Sequence, residues 1–107
     1  MMQPRVQAPG TVAKGEIFQV KTLISHPMET GLRHGKDGNR IPRNIINRFT
    51  CWYNQSVVFT ADLREAMAAN PYLAFYVKAN ESGSLRFIWE EDGGAVCKLE
   101  KALTVIA

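Results

Sequence analysis

His26 and His34 share one stretch with Met28, Glu29 and Arg33, and Cys51 and Cys97 lie downstream. Two imidazoles, a thiolate and a weak thioether are the ligand set of a blue-copper centre, so His26, His34, Cys51 and Met28 are the first group to consider. Their order argues against it. No histidine follows either cysteine, so a compact Cys–His–Met ligand loop cannot form. The cysteine spacing matches no zinc pattern, and two cysteines are too few for a disulfide framework. A Cys–His nucleophile built on Cys51 meets a further objection. Strand alternation sets Cys51 beside Phe49 and Tyr53 on an apolar face, where thiols are inert. The carboxylates Glu29, Asp37, Glu65, Glu81 and Glu90 to Asp92 give no pair of recognisable spacing. No Gly-rich phosphate loop follows a strand and opens a helix. The residues offer no catalytic constellation, and no metal or other cofactor is expected.

The elements that must position these residues are short alternating runs. Residues 5–8 suit a short edge strand between Pro4 and Pro9, and Pro9-Gly10 and Gly15 mark turns. Residues 16–25 alternate, with Phe18, Val20, Thr22 and Ile24 expected inward. Residues 45–53 form the next strand, with Ile45, Phe49, Cys51 and Tyr53 on one face and Ile46, Arg48, Thr50 and Trp52 on the other. Asn54-Gln55 fits a tight hairpin, because Asn tolerates positive φ, and 57–60 returns antiparallel. The only helical candidate is 61–70, capped by Asp62 and ended by Pro71. Strands at 72–79, 85–90 and 95–106 follow. A Gly-containing hairpin loop is expected at 80–84, a turn at Asp92-Gly93-Gly94, and a bulge or an edge position near Lys101. About seven strands in about 100 residues predict an all-β, immunoglobulin-like β-sandwich of antiparallel strands. In that topology the 85–90 strand separates the two cysteines by roughly 10 Å, beyond disulfide reach, so both thiols are expected free.

Between the strands ending at Ser25 and opening near Ile45 runs a polar connection, 26–44, rich in Gly and Pro. Connections longer than about 12–15 residues in compact domains are usually functional or disordered. Among the aromatics, Phe18, Phe49, Phe59, Phe75, Phe87 and Trp89 fall on inward sets. Trp52, Tyr72, Tyr76 and Ile88 fall on outward sets, and Trp52 and Ile88 share one sheet in a sandwich. Exposed apolar groups on a sheet face mark partner surfaces, unless the long loop covers them.

The chain of 107 residues is one domain, large enough for a core without staples. Its net charge of +3 comes from 13 basic and 10 acidic residues, loosely clustered only at Arg33, Lys36, Arg40, Arg43 and Arg48. Nucleic-acid modules concentrate charge on one face and add a motif, and no such motif is present. No apolar stretch approaches the ~20 residues of a membrane span. The N-terminus MMQPRVQAPG has no apolar core of a signal peptide, which predicts a cytoplasmic chain or one exported by another route.

Three segments, LISHPMETG (Leu23 to Gly31), IPRNIINRF (Ile41 to Phe49) and NPYLAFYVKANESGSLRFIW (Asn70 to Trp89), resemble the SoxZ family. The likeness covers nearly the whole chain. It implies an immunoglobulin-like sandwich that forms a heterodimer with a SoxY subunit, the carrier of bacterial thiosulfate and sulfur oxidation. SoxY bears the sulfur intermediates on a cysteine in a flexible Gly-rich C-terminal arm; this chain ends in ALTVIA, which fits the Z role. The resemblance further implies a non-catalytic subunit in the periplasm, exported with a signal-bearing SoxY. Contact with other sulfur-oxidation enzymes would come through the complex. Trp52 and Ile88 are the first candidates for the SoxY contact, with His26, Met28, Glu29 and Arg33 bordering the arm. Without SoxY the same face is expected to pair with itself in a homodimer. A free-standing enzyme or metal protein using the His26–His34 loop is the alternative that metal analysis would separate, and a generic adhesion or sugar-binding sandwich would bind without SoxY.

Overall fold

The computed structural model describes residues 3–26, 29, 31–64 and 71–107. Eight strands order the described chain: β1 (Gln3–Gln7), β2 (Thr11–Ala13), β3 (Ile17–Ser25), β4 (Ile46–Tyr53), β5 (Ser56–Asp62), β6 (Leu73–Lys78), β7 (Gly83–Glu91) and β8 (Val96–Ile106). They form two sheets, β1-β3-β6 and β2-β8-β7-β4-β5. This is the expected immunoglobulin-like β-sandwich, with one addition. The segment after Pro9-Gly10 crosses to the other sheet as β2 and pairs parallel with the end of β8. Three residues were too short a run to read by alternation.

Period-2 patterning works cleanly in β3, where Phe18, Val20, Thr22 and Ile24 are all buried and the residues between them exposed. Leu85, Phe87 and Trp89 do the same in β7. Phe49 sits at the centre of the core, with its ring centroid 5.2 Å from Trp89, 6.0 Å from Phe75, 6.1 Å from Phe59 and 6.3 Å from Phe87. Phe59 of β5 and Phe75 of β6 stack at 4.3 Å across the two sheets. These contacts tie the sheets together at their middle.

Three expectations are corrected. Ile46 was placed outward, but Ile45 and Ile46 are both fully buried. The β4–β7 register shifts between Ile46 and Arg48, and this bulge at Asn47 resets the alternation so that Ile46 joins the core, while Ile45, just before β4, is buried outside it. Ala61 and Asp62 belong to β5, not to a helix, Leu63 and Arg64 follow without regular structure, and the remainder of that helical candidate, 65–70, lies outside the described residues. The 80–84 segment is not a hairpin loop: β6 and β7 lie in different sheets, so it carries the chain from one to the other. Tyr53 pins that crossing, since its hydroxyl accepts from the Asn80 and Glu81 amides at 3.1 and 3.0 Å and donates to the Glu81 carbonyl. Of the bulge or edge position expected near Lys101, the edge forms: β8 runs in unbroken register with β7 there. Lys101 does lie on a stretch of β8 paired on one side only, since β2 reaches no further than Thr104.

The Asn54-Gln55 hairpin forms as read, with Asn54 at φ 53°. Its side chain accepts from Ser84 N–H at 3.0 Å. A Cβ at Gly83 would lie 1.8 Å from Asn54 Oδ1, so a larger residue there would displace the Asn54 side chain.

Candidate partner-binding face and loop

The outward face of β4, β5 and β7 holds an open groove of about 380 Å³. Its walls include Trp52, Ile88, Val57, Thr50 and Arg48, all from strands. Trp52 lies opposite Arg86 and Val57, and Ile88 lies opposite Thr50, so the two candidates are diagonal neighbours. Both side chains are half-buried. The Arg86 guanidinium stands 5.4 Å from the Trp52 ring centroid. At an exposed site such a contact is worth about 0.5–1 kcal/mol and holds the indole against the sheet. A second bulge, between Cys51 and Trp52 in the β4–β5 register, leaves Val57 and Val58 both exposed beside the groove. Arg48 and Asp62 face each other at 3.5 Å on its rim, a solvated pair of little energetic weight.

The 26–44 connection does not contribute to this groove. It folds back on itself through antiparallel bridges between Glu29 and Asn44 and between His34 and Arg40. Its tip is a tight turn in which Asp37 accepts from the Asn39 amide at 3.0 Å, a bond that holds the carboxyl below its usual range. Gly31 and Gly38, at φ 86° and 81°, supply the left-handed positions. Glu29 and Arg33 pair within it. At its root His26 is almost wholly buried, with Nε2 2.5 Å from Glu91 Oε2.

Asp92 is the latch that fixes the connection to the sandwich. Its carboxylate accepts from Arg43 at 2.8 and 3.0 Å, from Asn47 Nδ2 at 2.9 Å and from the Ile45 amide at 3.2 Å. Burial alone would raise the Asp92 carboxyl; the bonds from Asn47, Arg43 and Ile45 outweigh it and set it below the usual range. Asn44 adds a bond to the Gly93 amide at 3.0 Å. Sequence reading missed Asp92 and Asn47, and the run Asp92-Gly93-Gly94 signalled only a turn.

The proposed site residues therefore form two groups. Trp52 and Ile88 share the groove, while His26, Glu29 and Arg33 lie at or beyond the opposite end of β4, roughly 20 Å from Trp52 along the strand. Met28 lies outside the described residues. The two histidines and Cys51 are not brought together. Among the described residues no three His, Cys, Asp or Glu side chains cluster as metal ligands, and no helix is long and apolar enough to cross a membrane. Both thiols are free, and β7 runs between their strands. Cys51 is fully buried, and desolvation pushes its thiol up to about 12. Burial raises the Cys97 thiol as well.

Strand order and layering define an immunoglobulin-like β-sandwich. Solved structures share the architecture. A superoxide reductase (neelaredoxin) from Ignicoccus hospitalis matches with a TM-score of 0.76 at 20% identity, over 96% of this chain and 80% of that one. The sulfur carrier protein SoxY from Chlorobium limicola f thiosulfatophilum matches with a TM-score of 0.70 at 13% identity, over 97% and 79%. A putative superoxide reductase from Thermotoga maritima matches at 0.71 and 15%, over 97% and 86%. At these identities the likeness is one of fold. No curated protein sequence matches the chain. The family model "Sulphur oxidation protein SoxZ" matches residues 6–101, and the chain belongs to that family.

Proposed function

We propose that this chain is the non-catalytic subunit of a SoxYZ carrier, and that it holds SoxY on the outward face of β4, β5 and β7. The groove around Trp52 carries this reading. It pairs a large, half-buried aromatic with Ile88 on interior strand β7 and Val57 on edge strand β5, the composition of a binding anchor. Membership of the SoxZ family supplies the partner. The thiols support the division of labour: a sulfur-carrying cysteine must be exposed, mobile and ionisable, whereas Cys51 is buried with its thiol pushed up to about 12, and Cys97 is half-buried on β8, paired with Trp89, with its thiol raised by burial. The sulfur is thus carried by SoxY.

In this reading the 26–44 connection borders the SoxY arm through Glu29 and Arg33. His26, buried against Glu91, positions that loop without touching the arm. The pair works in the periplasm, exported through the signal of SoxY, and meets the other sulfur-oxidation enzymes as a complex. Without SoxY the same groove pairs two copies of this chain. The test is calorimetric titration of SoxY into the wild type and Trp52→Ala. Truncating a central aromatic anchor costs ~2 kcal/mol or more, so affinity should fall about thirtyfold. Unchanged affinity would move the interface off this face.

A further inference from the structure

The opposite face of the sandwich has a different character. Strands β1, β3 and β6 contain no Asp or Glu. Their outward positions pair across the sheet in rows: Arg5 with Leu23, Gln7 with Lys21 and Ala74, Gln19 with Tyr76, and Ile17 with Lys78. Cations and apolar groups therefore alternate over one surface. Tyr76 is 67% and Ile17 64% exposed, far more than a side chain kept for packing. An open groove of about 440 Å³ runs between Arg5 and Lys21, with Leu23 and Tyr72 as its apolar walls.

The charge on this face is of one sign: Arg5, Lys21 and Lys78 stand on it with no acidic residue from the same strands. The Trp52 face by contrast mixes signs, with Arg48 opposite Asp62 and Arg86 opposite Glu100.

We infer that the outward face of β1, β3 and β6 is a second docking surface, for a protein that presents an acidic patch with apolar groups at its centre. A second copy of this chain is disfavoured, since it would set three cations against three. The inference rests on the reading that SoxY occupies the other face, because the two outer faces of a sandwich point in opposite directions and can be filled at once. The occupant is then a protein that meets the assembled pair. Strands of five, nine and six residues set about 4.8 Å apart give a footprint of roughly 300 Å², below the ~800 Å² per partner of a stable complex. Contact is therefore brief, steered by charge and salt-sensitive, which suits a carrier that must leave each enzyme it visits.

The test uses the complex with SoxY, and the probes are the purified enzymes that act on sulfur bound to the SoxY arm. Two variants separate the contributions: Lys21→Glu with Lys78→Glu, and Ile17→Ser with Tyr76→Ser. All four side chains are exposed, so circular dichroism should be unchanged. SoxY affinity should be unaltered, while KM for the complex rises about tenfold with at least one enzyme and kcat holds. The charge variant should also flatten the dependence of KM on salt. An unchanged KM with every enzyme overturns the inference. So does loss of SoxY binding in these variants, or tight binding of a 20-base-pair DNA duplex that only the charge variant abolishes, which would mark a polyanion site. An effect of Trp52→Ala on SoxY affinity without any KM effect here would sink this inference alone. KM effects without a Trp52→Ala effect would sink the SoxY assignment alone.

Discussion

Replacing Asp92 by alanine should release the 26–44 connection from the sandwich while leaving the core intact. The side chain accepts four hydrogen bonds, two from Arg43 and one each from Asn47 and Ile45 N–H. The Arg43 pair is partly solvated, so about 1 kcal/mol is a fair value for it. The Ile45 amide and the Asn47 side chain lose a partner in a half-buried setting, at about 1 kcal/mol each. The sum, about 2–3 kcal/mol, corresponds to a fall in Tm of about 10 °C for a domain of this size. Asp92→Asn keeps one acceptor oxygen and should lose roughly half as much. Urea melts give the energy, and the m-value should hold because the same core unfolds. The pH dependence supplies a second check. The folded carboxyl titrates below its usual range, so its contribution is complete above the unfolded value of about 3.9 and disappears as pH falls through the folded value. Wild type and Asp92→Ala should therefore differ fully at neutral pH and converge in acid. A difference under about 0.5 kcal/mol at pH 7, or one that persists in acid, would refute the latch.

Phe49→Ala should be the costliest core truncation, at about 3–5 kcal/mol by chemical melt, because four aromatic rings pack around it. In native protein at pH 8, Cys51 should resist alkylation until unfolding and Cys97 should react first, as counted by intact mass. A Cys51→Ala, Cys97→Ser double variant that still binds SoxY should sustain thiosulfate-dependent turnover; sulfur adducts on this chain with lost turnover in the variant would reverse the assignment of the carrier.

Legibility in the sequence followed the physics of each element. The inward sets of β3 and β7 were readable because strict alternation is written in side-chain polarity. The Asn54 hairpin was readable because its left-handed backbone demands a residue of that type. Ile46 was misread because a bulge at Asn47 breaks the period, and nothing local in the sequence marks a bulge. The 80–84 crossing looked like a hairpin because its Gly83 signals a turn; only the pairing of β6 with β3 shows that it changes sheets. The free thiols followed from the strand order, which put β7 between Cys51 and Cys97. Asp92 was invisible as a latch, since its partners Arg43, Ile45 and Asn47 lie more than forty positions away in the chain.

The bulge that spoiled the alternation also joins the two halves of the candidate site. It turns Asn47 toward Asp92, so the root of the 26–44 connection is bonded to the first residues of β4. The same strand carries Trp52 near its other end, and it is hydrogen-bonded on both sides, by β5 and by β7. An interior strand with Phe49 and Cys51 locked beneath it has little freedom to adjust. The anchor and the loop are thus held at a fixed separation by one rigid element. Groups ordered before a partner arrives lose less freedom on binding, and more of their contact energy appears as affinity. Releasing the latch should then leave the Trp52 contact intact and weaken only what the loop adds, so SoxY affinity should fall less in Asp92→Ala than in Trp52→Ala. The reverse order would place the main SoxY contact on the loop.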